Sequence, residues 1–381
     1  MELAFWISAL TLAYIYIGYP VMLLLLSKIK GREITGGTAP LPDVSFIIAA
    51  HNEEEVIYKK LENTLALDYP DEQLEIIVVS DQSTDRTEEM VSDYDFLGVS
   101  LLKTPKRVGK TGAQNEAAGR ARGAVLVFSD ANSIWERDAL RNPVRLFSDK
   151  SIGYACGRLK YTNTGEAGSS HAEGLYWRYE VFLRRLESAV GSITAGNGAI
   201  YAVPSEDYCF FRHDQSHDFE FPRHVTSQGK RAVYVDTAVA YEKTGSTSDE
   251  FRRKVRMMGR VWGSILKSPG IFSPFHTNAL FSWQFISHRL MRYLAPIPQV
   301  IAFASNLFLY PSAPLYQILF ALQVIFYSSA LIGGVFQAKH KFFYLPYYFC
   351  LFNFTSVLGL AKLVFTPAPA YWEKAGSTRE Q

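Results

Sequence analysis

An α/β fold built on a mostly parallel sheet is the class this sequence predicts, and three observations predict it. Short apolar runs rich in Val and Ile recur along the middle of the chain. Charged stretches of helical length separate them, and an acidic residue stands just past two of the runs, in Ser80-Asp81 and Ser129-Asp130. Runs that lack polar alternation read as strands buried on both faces, the condition of a parallel sheet covered by helices.

The chain opens with an anchor. Leu3 to Leu26 is 24 residues without a charge, and about 20 apolar residues cross a bilayer core as a helix. A cleaved signal peptide would carry its basic residues ahead of the apolar stretch. Here Lys28, Lys30 and Arg32 follow it, and no small-residue cleavage site is evident. That basic flank places the polar middle of the chain on the cytoplasmic side. Residues 28–42, with Gly, Thr and Pro in their second half, form the linker.

Strands are expected at Val44–Ala49, Leu74–Val79, Val99–Leu102 and Ala124–Phe128, with helices at Glu53–Leu67, Arg86–Ser92 and Lys110–Arg120 between them. This alternation implies right-handed crossovers. Ala199–Val203 and Ala232–Val235 read as further strands of the same sheet.

After it come amphipathic and then apolar segments. Phe251, Val255, Met258, Trp262 and Ile265 recur at helical spacing with Arg252, Arg253, Arg256 and Arg260 around the other side, the pattern of a helix lying on anionic lipid. Residues 281–294 read as a second interfacial helix, with Arg289 and Arg292 reaching the headgroups. Tyr293 to Ala338 is 46 residues without a charge, and Phe342 to Ala361 another 20. This predicts two spans, a turn at Pro311-Ser312-Ala313-Pro314 and one more span, four in all. Four spans leave the tail outside although it carries Lys374 and Arg379; a re-entrant last segment, helped by Pro346, is the alternative.

The composition excludes several classes. A net charge of +2 says little about nucleic acid, and no recognition motif for it is present. Cys156, Cys209 and Cys350 have neither metal-ligand spacing nor an even count. No Gly-x-Gly-x-x-Gly follows the first strand, which excludes a nicotinamide-dependent oxidoreductase. The apolar segments carry no intramembrane charges of the kind a transporter needs.

Acidic residues after successive strands face one crevice at the carboxyl edge of an open sheet. Asn52, after the first strand, also reads as a helix cap with Glu53 to Glu55 complementing the dipole. Asp81 also reads as a turn residue. A divalent cation in the crevice would take oxygen ligands, and Mg²⁺ combines one or two carboxylates with substrate phosphates; Asp130 with Asn132 fits that set. Gly191 to Gly198 reads either as a tight turn or as a wall of the acceptor side.

Five segments then carry a specific resemblance. Ala50-His51-Asn52-Glu53-Glu54, Val79 to Asp85, Gly109-Lys110-Thr111-Gly112-Ala113-Gln114-Asn115, Phe128-Ser129-Asp130-Ala131-Asn132 and His217-Asp218-Phe219, the last with Arg253-Lys254-Val255-Arg256 downstream, occur in the order seen in family 2 glycosyltransferases. The chain resembles their membrane-integrated branch, the relatives of cellulose, hyaluronan and poly-N-acetylglucosamine synthases, over most of residues 43–265. The resemblance implies a GT-A type, Rossmann-like, mostly parallel sheet with flanking helices and with transmembrane helices at both ends. It implies that Ala50, His51, Asn52, Glu53 and Asp81 line the nucleotide pocket and that Lys110 holds the nucleotide or its phosphates. Asp130 and Asn132 correspond to the Asp-x-Asp motif for Mg²⁺ or Mn²⁺, with Asn in place of the second acid. Asp218 corresponds to the base that takes the proton of an acceptor hydroxyl, with inversion at the anomeric carbon; Glu220 is the weaker candidate. Arg253 and Arg256 stand where processive relatives have Gln-x-x-Arg-Trp, and two guanidiniums one turn apart suit a diphosphate. Met257 replaces the Trp, which counts against processive synthesis.

The expected division is an anchor at 1–27, a linker at 28–42, a cytoplasmic glycosyltransferase domain at 43–247, interfacial helices at 248–292, transmembrane helices at 293–365 and a polar tail at 366–381. The implied function is transfer from a UDP-sugar, or secondarily a GDP-sugar, to a lipid-linked or polysaccharide acceptor beside membrane lipid, with a bacterial inner membrane as the expected setting. A non-enzymatic nucleotide-sugar sensor or assembly subunit on the same fold is the alternative.

Overall fold

The computed structural model describes residues 1–34, 36–162, 170–243, 247–267, 270, 273, 275–338 and 340–365. The tail motif Trp372-Glu373-Lys374, with Thr378 and Arg379, lies outside the described residues.

Helix α1 (Glu2–Lys30) is 29 residues long and changes company halfway. Its first half packs Phe5 against Ala302 and Tyr316, while Tyr19 and Leu23 are fully buried against Leu183. The alternating elements then follow: β1 (Val44–Ala50), α2 (Ile57–Leu65), β2 (Leu74–Ser80), α3 (Thr87–Ser92), β3 (Val99–Lys103), α4 (Gly109–Ala118) and β4 (Val125–Asp130). Strands β3, β2, β1 and β4 lie side by side and parallel. Phe46 and Ile48 enter the core on one face of β1, and Ile47 and Ala49 that on the other. Burial of both faces is why these strands read as unbroken apolar runs.

The second half of the sheet is mixed. It adds β5 (Ile134–Trp135), α5 (Arg141–Val144), β6 (Ile152–Tyr161), α6 (Ser170–Val190), β7 (Ile200–Pro204), α7 (His217–Ser227) and β8 (Arg231–Glu242). The order is β3-β2-β1-β4-β7-β6-β8-β5, with β7 antiparallel to both neighbours and β6 parallel to β8. The two late strands expected from sequence are present. Strand β6 is hidden in sequence because Gly153, Gly157, Arg158 and Lys160 interrupt its apolar pattern.

Beyond the sheet come α8 (Thr247–Lys267), α9 (Ala279–Phe285), a π turn (Ile286–Leu290) leading to Met291–Tyr293, α10 (Pro296–Leu309), α11 (Pro314–Val335) and α12 (Lys341–Phe365). Among the described residues three helices, α1, α11 and α12, are long and apolar enough to cross a membrane. The four spans expected from sequence are corrected here. Proline at the first position of α10 starts a new helix of only 14 residues, about 21 Å of rise against a core of about 30 Å.

The expected contact of Arg289 and Arg292 with headgroups is also corrected. Both are buried, and both pair with Glu180 of α6, at 2.7 Å and 3.0 Å. The apolar face of α8 likewise meets protein: Met258, Trp262 and Ile265 are buried with Phe281, Phe285 and Tyr293, and Trp262 Nε1 donates to the Ser356 carbonyl of α12 at 3.1 Å.

Candidate active site

The loops after β1 and β2 are stitched together. Asn52 adopts φ +55, a left-handed conformation that Asn tolerates better than most residues. In that pose it does not cap α2, which begins only at Ile57. Its Oδ1 instead accepts from Thr84 N at 2.7 Å, its amide donates to Ser83 Oγ at 3.1 Å, and Glu53 N donates to Thr87 Oγ1 at 2.8 Å. His51 Nδ1 lies 2.7 Å from the Asp81 carbonyl.

Asp81 is fully buried. Its carboxylate accepts from Val108 N at 2.7 Å and Gly109 N at 2.8 Å, which neutralises free amides at the start of α4. Asp81 therefore fixes the helix that carries Lys110. Lys110 Nζ in turn donates to Asp130 Oδ1 and, at 3.3 Å, to the Gly198 carbonyl. Fold and site are joined at this point: a buried cap on β2 aims an ammonium at the carboxylate ending β4.

Behind Asp130 lies a group that sequence reasoning missed. Lys60 of α2 is fully buried. Its Nζ donates to the Ser133 carbonyl at 2.7 Å and stands 5.1 Å and 5.2 Å from the ring centres of Phe46 and Trp135. Burial pushes this lysine down to about 7, against the opposing pull of Asp130 and Glu242. Ser133 Oγ donates to Glu242 Oε1 at 2.7 Å. Burial, and then the charge of Asp130, hold the Glu242 carboxyl above its ordinary range, with Arg253 and Lys110 opposing. The available signal was Lys60 on the same helical face as Ile57, Leu61 and Thr64, where a solvated lysine does not belong.

The other end of the site is set by Gly196, Tyr201 and α7. Asp218 lies in the first turn of α7, and Ser216 Oγ donates to its Oδ1. Its carbonyl accepts from Gly196 N at 2.7 Å, so the Gly191 to Gly198 segment touches both Asp218 and, through Gly198, Lys110. Tyr201 pairs with Phe128 across the β4–β7 ladder, its ring stacked on that of Phe128 at 4.8 Å, and so links the β4 end of the site to α7. Its hydroxyl pairs with His217 Nδ1 at 2.7 Å. His217 is caged by Phe128, Tyr208, Phe211 and Phe221. Burial, then the charge of Lys110, push it down to about 3, so it adds no charge beside Asp218 at neutral pH. Glu220 is buried and engaged with Arg223 at 2.7 Å, a poor position for a base.

The guanidiniums of α8 divide between the two ends. Arg253 Nη2 donates to Tyr161 Oη at 3.2 Å and sits beside Glu242. Burial, then the charge of Arg256, lower the Arg260 guanidinium from its ordinary value, with Asp218 opposing. Among the described residues no three His, Cys, Asp or Glu side chains converge as a metal cage. One carboxylate and one amide oxygen fit a hard cation whose other positions are filled by phosphates and water. Asp130, whose carboxylate carries the Lys110 ammonium, and Asn132 are the carboxylate and amide that would make such a pair.

Residues 45–208 match Glycosyl transferase family 2. A beta-monoglucosyldiacylglycerol synthase of Nostoc sp. is 30% identical over 184 residues, 47% of this chain. The match spans 39% of that synthase, so the chain covers well under two thirds of its length. A UDP-Glc:alpha-D-GlcNAc-diphosphoundecaprenol beta-1,3-glucosyltransferase of Escherichia coli is 29% identical over 62% of this chain and 91% of its own. Among solved structures, a mannosyltransferase of Pyrobaculum calidifontis in complex with GDP-Man and Mn²⁺ superposes with a TM-score of 0.73. It covers 95% of this chain and 99% of its own at 20% identity, a likeness of fold.

Proposed function

We propose that this chain, whose residues 45–208 match Glycosyl transferase family 2, is an inverting glycosyltransferase. It moves a sugar from a nucleotide-diphosphate sugar, a UDP-sugar foremost and a GDP-sugar second, to a lipid-linked or polysaccharide acceptor at a membrane. The observation that carries this reading is the pairing of two ends: Lys110 on Asp130 and, across Tyr201, which faces Phe128 of β4 and bonds His217 of α7, Asp218 in the first turn of α7.

In this reading the His51 to Glu53 loop and the loop it grips after β2 form the nucleotide wall, with Asp81 holding α4 in place behind it. Lys110, Arg253 and Arg256 offset the charge of the diphosphate. Mg²⁺ or Mn²⁺ held by Asp130 and Asn132 would supply Lewis-acid stabilisation of the leaving diphosphate. Asp218 accepts the proton of the attacking hydroxyl, a contribution of about 10²- to 10⁴-fold. The three apolar helices among the described residues, and Phe219 packed in the same cluster as Met258 and Trp262 of α8, support an acceptor presented at a membrane surface; the basic residues after the first of them, Lys28, Lys30 and Arg32, support a catalytic domain on the cytoplasmic side.

The test is nucleotide release from a panel of UDP- and GDP-sugars by detergent-purified protein with Mg²⁺ or Mn²⁺, with Asp218→Asn alongside. Metal-dependent release from one donor is expected, falling at least 100-fold in the variant while UDP binding persists. Nucleotide binding unchanged in the variant, with no turnover in either protein whatever lipid acceptor is added, would favour the sensor.

A further inference from the structure

The pair at 130 and 132 carries one negative charge where two acids would carry two. Glu242 stands directly behind it. One of its oxygens is held by Ser133 Oγ at 2.7 Å, and Ser133 is the residue after Asn132. Its backbone is fixed by β8, where Tyr241 pairs with Ile134 and the Glu242 carbonyl accepts from Thr162 N at 3.0 Å. Glu242 is thereby tied to the residue that follows Asn132, yet Asp130 and Glu242 do not form part of a three-residue cage among the described residues. Lys60 holds the Ser133 carbonyl at 2.7 Å. One turn along α2, Asn63 brackets Trp135 through Nδ2 to its carbonyl at 2.9 Å and Oδ1 to its amide at 2.8 Å. The 130–135 segment is therefore gripped by α2 and by β8.

We propose that Glu242 is a positioning residue of the donor cation site, supplying from behind Ser133 the negative charge that Asn132 does not, while the grip of Lys60 on Ser133 keeps Asp130 and Asn132 aimed at the cation. Two neighbouring carboxylates in a dry site repel one another, and a divalent cation relieves that repulsion even when only one of them is a ligand. Partners behind the ligands typically change metal affinity by about 10- to 100-fold. The arrangement rests on the donor-metal reading given above.

The experiment measures Mn²⁺ binding directly, by the loss of the free-ion electron paramagnetic resonance signal in the presence of UDP, on the full chain in detergent. Glu242→Gln keeps an oxygen for Ser133 but removes the charge. Its Mn²⁺ affinity is expected to fall at least 10-fold, with UDP affinity in the absence of metal unchanged. Adding Asn132→Asp to that variant should restore most of the loss, and Glu242→Asp should stay near the parent. Parent-like Mn²⁺ binding by Glu242→Gln overturns the proposal, as does a failure of Asn132→Asp to compensate. Should Glu242→Gln not fold, the comparison passes to Asn132→Asp alone. With Glu242 present that change should tighten Mn²⁺ less than 10-fold, and a larger gain overturns the proposal. A parent that binds UDP but no Mn²⁺ overturns the donor-metal reading itself.

Discussion

Replacing Lys60 by Met removes a buried charge while leaving the volume nearly filled. In the folded chain Lys60 titrates at about 7, against an ordinary value of 10.5. Between those limits the unfolded chain binds a proton that the folded chain does not, so stability rises with pH across the window. Below pH 7 the whole penalty is present. The gap between 10.5 and about 7, at about 1.4 kcal/mol per pH unit, amounts to about 5 kcal/mol. About 2 kcal/mol of it remains at pH 9, and none above 10.5. Against this, Met forfeits the hydrogen bond to the Ser133 carbonyl, at a cost of about 1–3 kcal/mol. The larger effect wins at neutral pH: Lys60→Met should be more stable than the parent at pH 7 and lose about 2 kcal/mol of that advantage by pH 9. Urea midpoints followed by intrinsic fluorescence at the two pH values would measure it. Parallel pH dependence in the two proteins would refute a depressed lysine. The same variant should bind donor less well, because the Ser133 carbonyl loses its bond to α2.

Other residues make equally direct claims. A Cβ at Gly196 would stand 2.0 Å from Tyr154 Oη, whose side chain is fully buried; Gly196→Ala should displace the segment that holds Asp218, lowering kcat at least 10-fold with UDP binding kept, as turnover and calorimetry would report. Because His217 stays neutral down to about 3, the pH–rate profile should show no limb near 6.5, and a limb there that vanishes in His217→Phe would contradict the cage. Glu180 meets Arg289 at 2.7 Å, Arg292 at 3.0 Å and His288 at 3.2 Å, all buried. Burial alone would raise its carboxyl, yet Arg289 and His288 hold it well below the ordinary range. Glu180→Gln should therefore cost about 3–5 kcal/mol, visible as a large drop in the thermal midpoint. At the α8–α12 crossing a Cβ on Gly359 would come 2.5 Å from Met258 Cβ and 2.9 Å from Gly259 N; Gly359→Leu should cost about 1–3 kcal/mol and loosen the arginine-bearing helix, seen as weaker UDP binding.

Local pattern by itself determined a good deal of this protein. Strands buried on both faces announce themselves as unbroken Val and Ile runs, so β1 to β4 could be drawn from sequence within a residue or two. The residues at their carboxyl ends were legible for the same reason, since a parallel sheet brings those ends to one edge. Tertiary structure alone decided what those residues touch. Asp81 reads as a pocket residue, but its carboxylate is committed to the amides of Val108 and Gly109. Arg289 and Arg292 have the spacing of headgroup contacts; a carboxylate on α6, more than a hundred residues away in sequence, draws them into the protein instead. The 46 uncharged residues from Tyr293 looked like two spans because hydropathy does not register where a proline restarts a helix. Lys60, Ser133 and Glu242 carry no motif at all. Their partnership is made by three separate elements meeting behind the sheet edge, and a charge is buried there only because its counter-charge and acceptor arrive from elsewhere in the chain.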